Sequence, residues 1–179
     1  VELAVMRGNR DFLLGDDFAR RSGARLIADP TVLSLPNWQF VLAHGDHLCT
    51  DDTDYQAFRA QVRAPAWRDV FLGKPLRERQ AIASALRRQS EQAKREKRQH
   101  AQYTMDVNAA ATDDFLRDHG YATFIHGHTH RPARHQWLHA GQLRQRWVVR
   151  DWRSEGGGYV QVTPSGVQAG CWPVTTLPD

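Results

Sequence analysis

Cysteine is nearly missing from this sequence. Cys49 and Cys171 are the two it has; they stand far apart and match no CxxC pattern. A disulfide framework is therefore not the organising principle, and a reducing, cytoplasmic compartment is expected. Long apolar runs are missing too: no window approaches the roughly eighteen uninterrupted apolar residues that span a bilayer. The opening stretch VELAVMRGNRDF lacks the basic-then-apolar layout of a secretory signal, so a soluble or peripheral protein is expected. There is no internal repeat and no flexible linker. What is present suffices for a core, since 41% of the 179 residues are hydrophobic, which fits one globular domain. The net charge is +4 and the pI near 9.4, so an anionic partner is compatible with the chain but not specified by it.

ELAVM (2–6) reads as a buried strand, and GDDFARRSG (15–23) as a short helix with an aspartate cap before it and Gly23 after it. TVLSL and WQFVLA flank Pro36-Asn37 and predict two strands joined by a tight turn. From Asp52 to about His119 the pattern is helical. DYQAFRAQVR runs up to Pro65 and AWRDVFLG to Gly73; a long segment then opens on Pro75, and DVNAAATDDFLRDHG closes on Gly120. Strands return as YATFI, ARHQWLH, LRQRWVVRDW and GYVQVT, with turns at AGQ, EGGG and TPSG. This order predicts an α/β (α+β) body, one domain over 1–179, carrying a helical cap inserted over 52–108.

IHGHTH (125–130) sets His126, His128 and His130 at alternate positions. Because YATFI is apolar, His126 falls where a buried strand leaves its sheet. Side chains at i and i+2 of an extended backbone point the same way, so His126 and His128 can converge on one cation. Gly127 removes a Cβ from the turn. A polar surface loop before Arg131-Pro132 is the plainer reading, but alternate histidines around a glycine after a buried strand favour a metal. Two other segments share this grammar: FVLA ends in His44-Gly45-Asp46, with Asp51 and Asp52 soon after, and AVM leads into Gly8-Asn9-Arg10-Asp11. Strand ends that deliver Asn or His beside glycine point to a site built from loops.

GNRD, HGD and HGHTH, in this order and spacing, resemble the later motifs of the calcineurin-like metallophosphoesterases. The longer runs RGNRDFLLG, HGDHLCTDDTDYQAFRAQVR, MDVN and IHGHTHRPA are similar to the UDP-2,3-diacylglucosamine diphosphatase family of lipid A biosynthesis, and the resemblance covers nearly the whole chain. It implies the C-terminal part of a β-sandwich flanked by helices. It also implies two manganese ions that activate water for in-line attack on a diphosphate, giving UMP and 2,3-diacylglucosamine 1-phosphate. By the matching motifs, Asn9, His44 and His126 would ligate one metal and His128 the other, while Arg10 would grip a phosphate oxygen. His130 would support a ligand rather than be one. Asn9, Arg10 and His126 would act in catalysis and also touch substrate, together with Asp52, Ser90, Lys94 and Lys97 on the helical insert; Lys94 stands where asparagine is usual.

The family pattern also includes an Asp-x-His motif and a Gly-Asp motif ahead of GNRD, which these residues do not contain. Asn and His ligands are neutral, and two nearby divalent cations repel unless a bridging carboxylate offsets their charge. Asp11, Asp46, Asp51 and Asp52 are at hand; Asp11 and Asp46 lie beside ligand positions, but in the family such residues act as outer-shell or turn groups. The expectation is the C-terminal portion of a longer enzyme.

RRQSEQAKREKRQH (87–100) has no large apolar side chain, whereas Leu76, Ile82 and Leu86 before it are expected to be buried at helical spacing. It is either a solvated face with pairs such as Glu91 to Arg95 or, as the resemblance implies, a lid offering cations to the nucleotide sugar. Trp67, Val70, Phe71 and Leu72 could be core or could meet acyl chains. Basic charge nearby is compatible with peripheral attachment to an anionic inner-membrane surface from its cytoplasmic face. The competing readings are another metallophosphoesterase, such as a nuclease or general phosphodiesterase whose basic helix tracks nucleic acid, and a non-catalytic remnant or binding module. If the carboxylate motifs matter as argued, residues 1–179 alone bind manganese weakly and turn over little; a calorimetric titration giving tight two-metal binding would refute this.

Overall fold

The computed structural model describes residues 1–36, 38–98 and 106–173, without the side chains of residues 94, 97, 98 and 173. In chain order the elements are β1 (Ala4–Met6), α1 (Asp16–Ser22), β2 (Arg25–Ile27), β3 (Thr31–Leu35), β4 (Trp38–Ala43), a single 3-10 turn (Asp46–Leu48), α2 (Thr53–Arg63), α3 (Pro65–Leu72), α4 (Leu76–Arg98), α5 (Ala109–Asp118), β5 (Thr123–His126), β6 (Ala133–His139), β7 (Gln142–Val148), β8 (Gly156–Thr163) and β9 (Gly166–Pro173). They divide into two compact units, Val1–Asp51 with Asp106–Asp179, and Asp52–Met105. The architecture is mixed α/β.

The first unit is built on a five-stranded sheet in the order β3-β4-β5-β7-β6. Its three central strands β4, β5 and β7 run parallel, while β3 and β6 pair antiparallel on the flanks. Central strands are buried on both faces, so β4 shows no strict alternation: Phe40, Val41 and Ala43 are all buried. Val41, Ala43, Leu48, Leu116, Ala122 and Phe124 form the core, with Val107, Ala111, Phe115 and Trp137 packed on it. The helix α5 starts on Asn108, whose side-chain oxygen accepts from the N–H of Ala111 at 3.0 Å. Past its end, Gly120 and Tyr121 turn the chain into β5 with φ of 62° and 61°, a conformation that costs no side-chain strain at the glycine.

Several sequence expectations need correcting. The segment 2–6 is not a buried strand: Ala4 is exposed and Val5 and Met6 half-buried, because among the described residues β1 pairs on one side alone, with β2. Gly15 rather than an aspartate is the N-cap of α1; Asp16 and Asp17 lie in its first turn, where they face the positive end of the helix dipole. The strand β9 was not expected from GVQAGCWP, whose glycines weaken any strand signal, yet it pairs with β8 from Gly156↔Pro173 to Thr163↔Gly166.

In the second unit, Asp52 caps α2 by accepting from the N–H of Tyr55 at 3.2 Å, and Pro65 opens α3. Phe71 is buried and stacks on Trp67 with ring centroids 4.9 Å apart, whereas Val70 and Leu72 are exposed. Ile82 and Leu86 are half-buried, but Leu76 is exposed, since it is the first residue of α4 and has no preceding turn to lie against. Among the described residues, no helix is long and apolar enough to cross a membrane. Phe124 is fully buried beside Phe115 and His126. Phe124→Ala should therefore cost about 3–5 kcal/mol in urea denaturation; a loss well under about 1 kcal/mol would remove it from the core.

Candidate metal centre

The site follows from one register. Parallel pairing sets Ala43 opposite His126, so β4 and β5 end side by side, and the ladder continues one step further as the N–H of Gly127 donates to the carbonyl of His44 at 3.2 Å. The loops HGD and HGHTH are thus adjacent at the carboxyl ends of parallel strands, the usual place for a site in such sheets. The loop after β1 joins them: the backbone N–H of Asn9 donates to His44 Nε2 at 3.3 Å. The rings of His44 and His128 meet edge to face with centroids 5.0 Å apart.

Two glycines make this approach possible. A Cβ on Gly8 would lie 2.9 Å from His44 Cε1, and one on Gly45 would lie 2.7 Å from His126 Nδ1. Gly45 also has a φ of 102°, which side chains rarely adopt. Asn9 and His128 thus meet the His44 ring, and the Gly45 backbone lies close against His126; among the described residues, the group of three whose ligand-type atoms all lie within 4.8 Å of one another is Asp29, Asp46 and His47.

The alternation argument for the histidines does not describe the loop correctly. His128 has a φ of 65° and His130 of 54°, and the N–H of Thr129 bonds to the carbonyl of Gly127 at 2.8 Å. The backbone leaves the extended region directly after His126, so the ring of His128 reaches His44 through a tight turn. His130 points elsewhere, with Nδ1 3.2 Å from Asp151 Oδ2. Arg10 is exposed beside Asn9.

The nearby carboxylates differ in what they hold. Asp11 accepts from the N–H of Gly8, and Asp51 accepts from the side-chain amide of Asn108 at 2.9 Å. Asp46 is fully buried and clusters with Asp29 and His47, their ligand-type atoms all within 4.8 Å of one another. Asp29 Oδ1 also accepts from the N–H of His44 at 3.0 Å. No spacing in the sequence links residue 29 to residue 44; the antiparallel β3–β4 register, Thr31↔Leu42, folds one back on the other.

His126 is buried and stacks on Phe124, ring centroids 4.6 Å apart. Its Nδ1 meets the carbonyl of Gly127 at 2.9 Å and its Nε2 meets Arg146 Nη1 at 3.4 Å. Burial, seconded by the Arg146 charge and opposed by the Gly127 carbonyl, pushes this imidazole down to about 4, so it is neutral and has a lone pair to offer. Arg146 Nη1 also donates to Asp106 Oδ1 at 2.8 Å. Burial alone would raise the Asp106 carboxyl, but the donors Arg146 and Val107 hold it below the usual carboxylate range. Sequence reasoning missed Arg146 and Asp106; Arg144 and Arg146 stand at alternate positions of β7, QLRQRWV, and both are buried.

Of the substrate-contacting positions, Asp52 and Ser90 lie in the second unit, Asp52 as the cap of α2 and Ser90 exposed on α4. The side chains of Lys94 and Lys97 lie outside the described residues; their positions follow Ser90 at i+4 and i+7 along α4.

No family model matches the chain. Among curated proteins, it is 52% identical over 155 residues to a UDP-2,3-diacylglucosamine hydrolase of Aromatoleum aromaticum, covering 87% of this chain and 62% of that protein. The namesake of Chromobacterium violaceum is 49% identical over 169 residues, 93% of this chain and 68% of the relative. That of Stenotrophomonas maltophilia is 44% identical over 181 residues, 99% of this chain and 71% of the relative. The chain belongs to the UDP-2,3-diacylglucosamine hydrolase family. It spans about two thirds of the length of the curated relatives it matches. The Stenotrophomonas match leaves so little of the chain unaligned that Asn9, His44, His126 and His128 all fall inside the stretch shared with this hydrolase family.

Burial of His126 has a consequence for stability. The unfolded chain takes up a proton below 6.5, while the folded imidazole resists until about 4. The contribution is complete above the unfolded value and is lost as pH falls through this window, by on the order of 3 kcal/mol at most. Urea denaturation of the metal-free chain at successive pH values should show that decline, and His126→Phe should flatten it; an equal slope in both would exclude His126 as its source.

Proposed function

We propose that the protein carrying these residues hydrolyses the diphosphate of UDP-2,3-diacylglucosamine, releasing UMP and 2,3-diacylglucosamine 1-phosphate, with two manganese ions as cofactor. The observation that supports this most is the convergence of Asn9, His44 and His128 beside a neutral, buried His126 at the ends of two parallel strands. The names of the relatives supply the substrate.

The residues present fit a divalent cation. Neutral imidazoles are the commonest protein ligands for such ions, and the glycines at 8 and 45 keep a space that a Cβ would fill. When bound, the cations would lower the pKa of water and take up charge developing on phosphate oxygens. The rest falls to the chain. Asn9, His44 and His126 would hold one cation and His128 the other. Arg10, whose exposed guanidinium stands next to Asn9, pairs with a phosphate oxygen and orients it. Substrate recognition by Asp52, Ser90, Lys94 and Lys97 belongs to this proposal on the strength of the family resemblance.

A lipid-linked substrate requires the enzyme to work at a membrane. The net charge of +4 supports attachment to an anionic surface from the cytoplasmic side. Manganese-dependent release of UMP from UDP-2,3-diacylglucosamine, with little cleavage of a generic phosphodiester, is the expected result; equal cleavage of both would overturn the substrate assignment. In the complete enzyme, His128→Ala should abolish turnover, whereas Lys97→Ala should mainly raise the Michaelis constant. An unchanged rate for His128→Ala would take this residue out of the site.

A further inference from the structure

The loop that carries His128 has to cross a strand. In the sheet β7 lies between β5 and β6, and Val148 is paired on both sides, with His126 of β5 and with Ala133 of β6. Residues 127–132 therefore pass over the carboxyl end of β7 and reverse direction, spanning two strand spacings, about 10 Å. Six extended residues would reach about twice as far, so the slack is taken up in kinks. His128 and His130 both have left-handed φ, 65° and 54°. Residues other than glycine are uncommon in that region and stay there where their surroundings impose it.

Those surroundings come from three sides. Ahead of the kink, the N–H of Gly127 donates to the carbonyl of His44 at 3.2 Å and that of Thr129 to the carbonyl of Gly127 at 2.8 Å. After it, Pro132 disfavours helical backbone at Arg131, which confines the kink to the residues before. Beneath it, the N–H of Val149 donates to the carbonyl of His126 at 2.8 Å, extending the β5–β7 ladder by one step, so the chain leaving β7 runs beside the crossing. Two residues further on, Asp151 Oδ2 stands 3.2 Å from His130 Nδ1. Arg153 Nε donates to the same oxygen at 2.6 Å and orients the carboxylate.

We propose that Asp151 is a positioning residue for His128: by gripping His130 it holds the second left-handed residue of the crossing, and with it the turn that sets the His128 ring edge-on to His44, centroids 5.0 Å apart. Asp151 lies outside the GNRD, HGD and HGHTH motifs and acts through backbone rather than by touching a cation or substrate. Its consequence for catalysis rests on the reading given under the proposed function. The side chains of His130 and Asp151 are 54% and 20% exposed, so their contact adds little to stability. Removing it should reshape the loop without unfolding the domain.

In the metal-free, isotope-labelled full chain, carbon shifts and backbone couplings report φ at residues 128 and 130, and nuclear Overhauser effects report the approach of the His44 and His128 rings. Wild type should show both left-handed residues and a ring-to-ring effect; Asp151→Ala should lose both at an unchanged urea midpoint. His130→Asn should keep them, since asparagine tolerates left-handed backbone and its amide offers the carboxylate a donor. His130→Phe, a ring without a donor, should lose them. His130→Gly relieves the strain itself, so in that background Asp151→Ala should change nothing. A folded Asp151→Ala chain with wild-type φ values and ring contact overturns the proposal, as does a full-size effect of Asp151→Ala in the His130→Gly chain. Should Asp151→Ala not fold, wild-type φ values and ring contact in His130→Phe are the overturning result. In the complete enzyme, Asp151→Ala should lower kcat about tenfold with KM little changed, and His130→Gly should suppress that loss; an unchanged kcat overturns the link to catalysis. A wild-type enzyme that releases no UMP with manganese would instead overturn the proposed function, and the loop spectra then decide the role of Asp151.

Discussion

The parallel pairing of β4 with β5, Ala43 opposite His126, is the constraint on which the rest of the site depends. A shift by one residue would send the side chains of one strand to the opposite face, and the HGD and HGHTH loops would no longer leave the sheet side by side. The register is held by what lies beneath it. Val41, Ala43, Leu116, Ala122 and Phe124 are buried in one core, and exposing any of them by slippage would forfeit apolar burial of roughly a kilocalorie or more per side chain. The same packing that stabilises the sheet thus sets where the two histidine loops emerge.

Around that pair, polar groups are placed with little freedom. Asp29 ties the His44 backbone from the β3 side, the Asn9 amide touches the His44 ring from the β1 side, and Arg146 meets the His126 ring from β7. Each contact comes from a different strand or strand end, so the geometry belongs to the sheet as a whole. Glycine is required where backbone meets ring, at Gly8 and Gly45, which explains why the motifs read as Asn or His beside Gly. Close approach and burial also suit the chemistry, because a neutral imidazole in a dry setting can donate its lone pair without first losing a proton to solvent.

The second unit presents a different balance. Its apolar contacts are few, with Val62 and Phe71 buried and Val70, Leu72 and Leu76 exposed. Its helices owe more to local signals, namely the Asp52 cap, Pro65 at the start of α3 and the i,i+4 pair Gln92–Glu96 on α4.

The helices on either side of Pro65, the helix closed by Gly120 and the apolar strands leading to His44 and His126 were legible in the sequence, because caps, breakers and apolar runs are local. The pairing of residues near in space but far along the chain was not. Asp29 beneath His44, Arg146 and Asp106 behind His126, and the left-handed turn that brings His128 to His44 depend on strand order and register. The limited burial of β1 depends on how many neighbours a strand has. By itself, then, the sequence determined which loops carry histidine and asparagine beside glycine at the ends of apolar strands. Only the tertiary structure decided which atoms face one another, since hydrogen bonds and ring contacts act over a few ångströms and the chain separating these groups is tens of residues long.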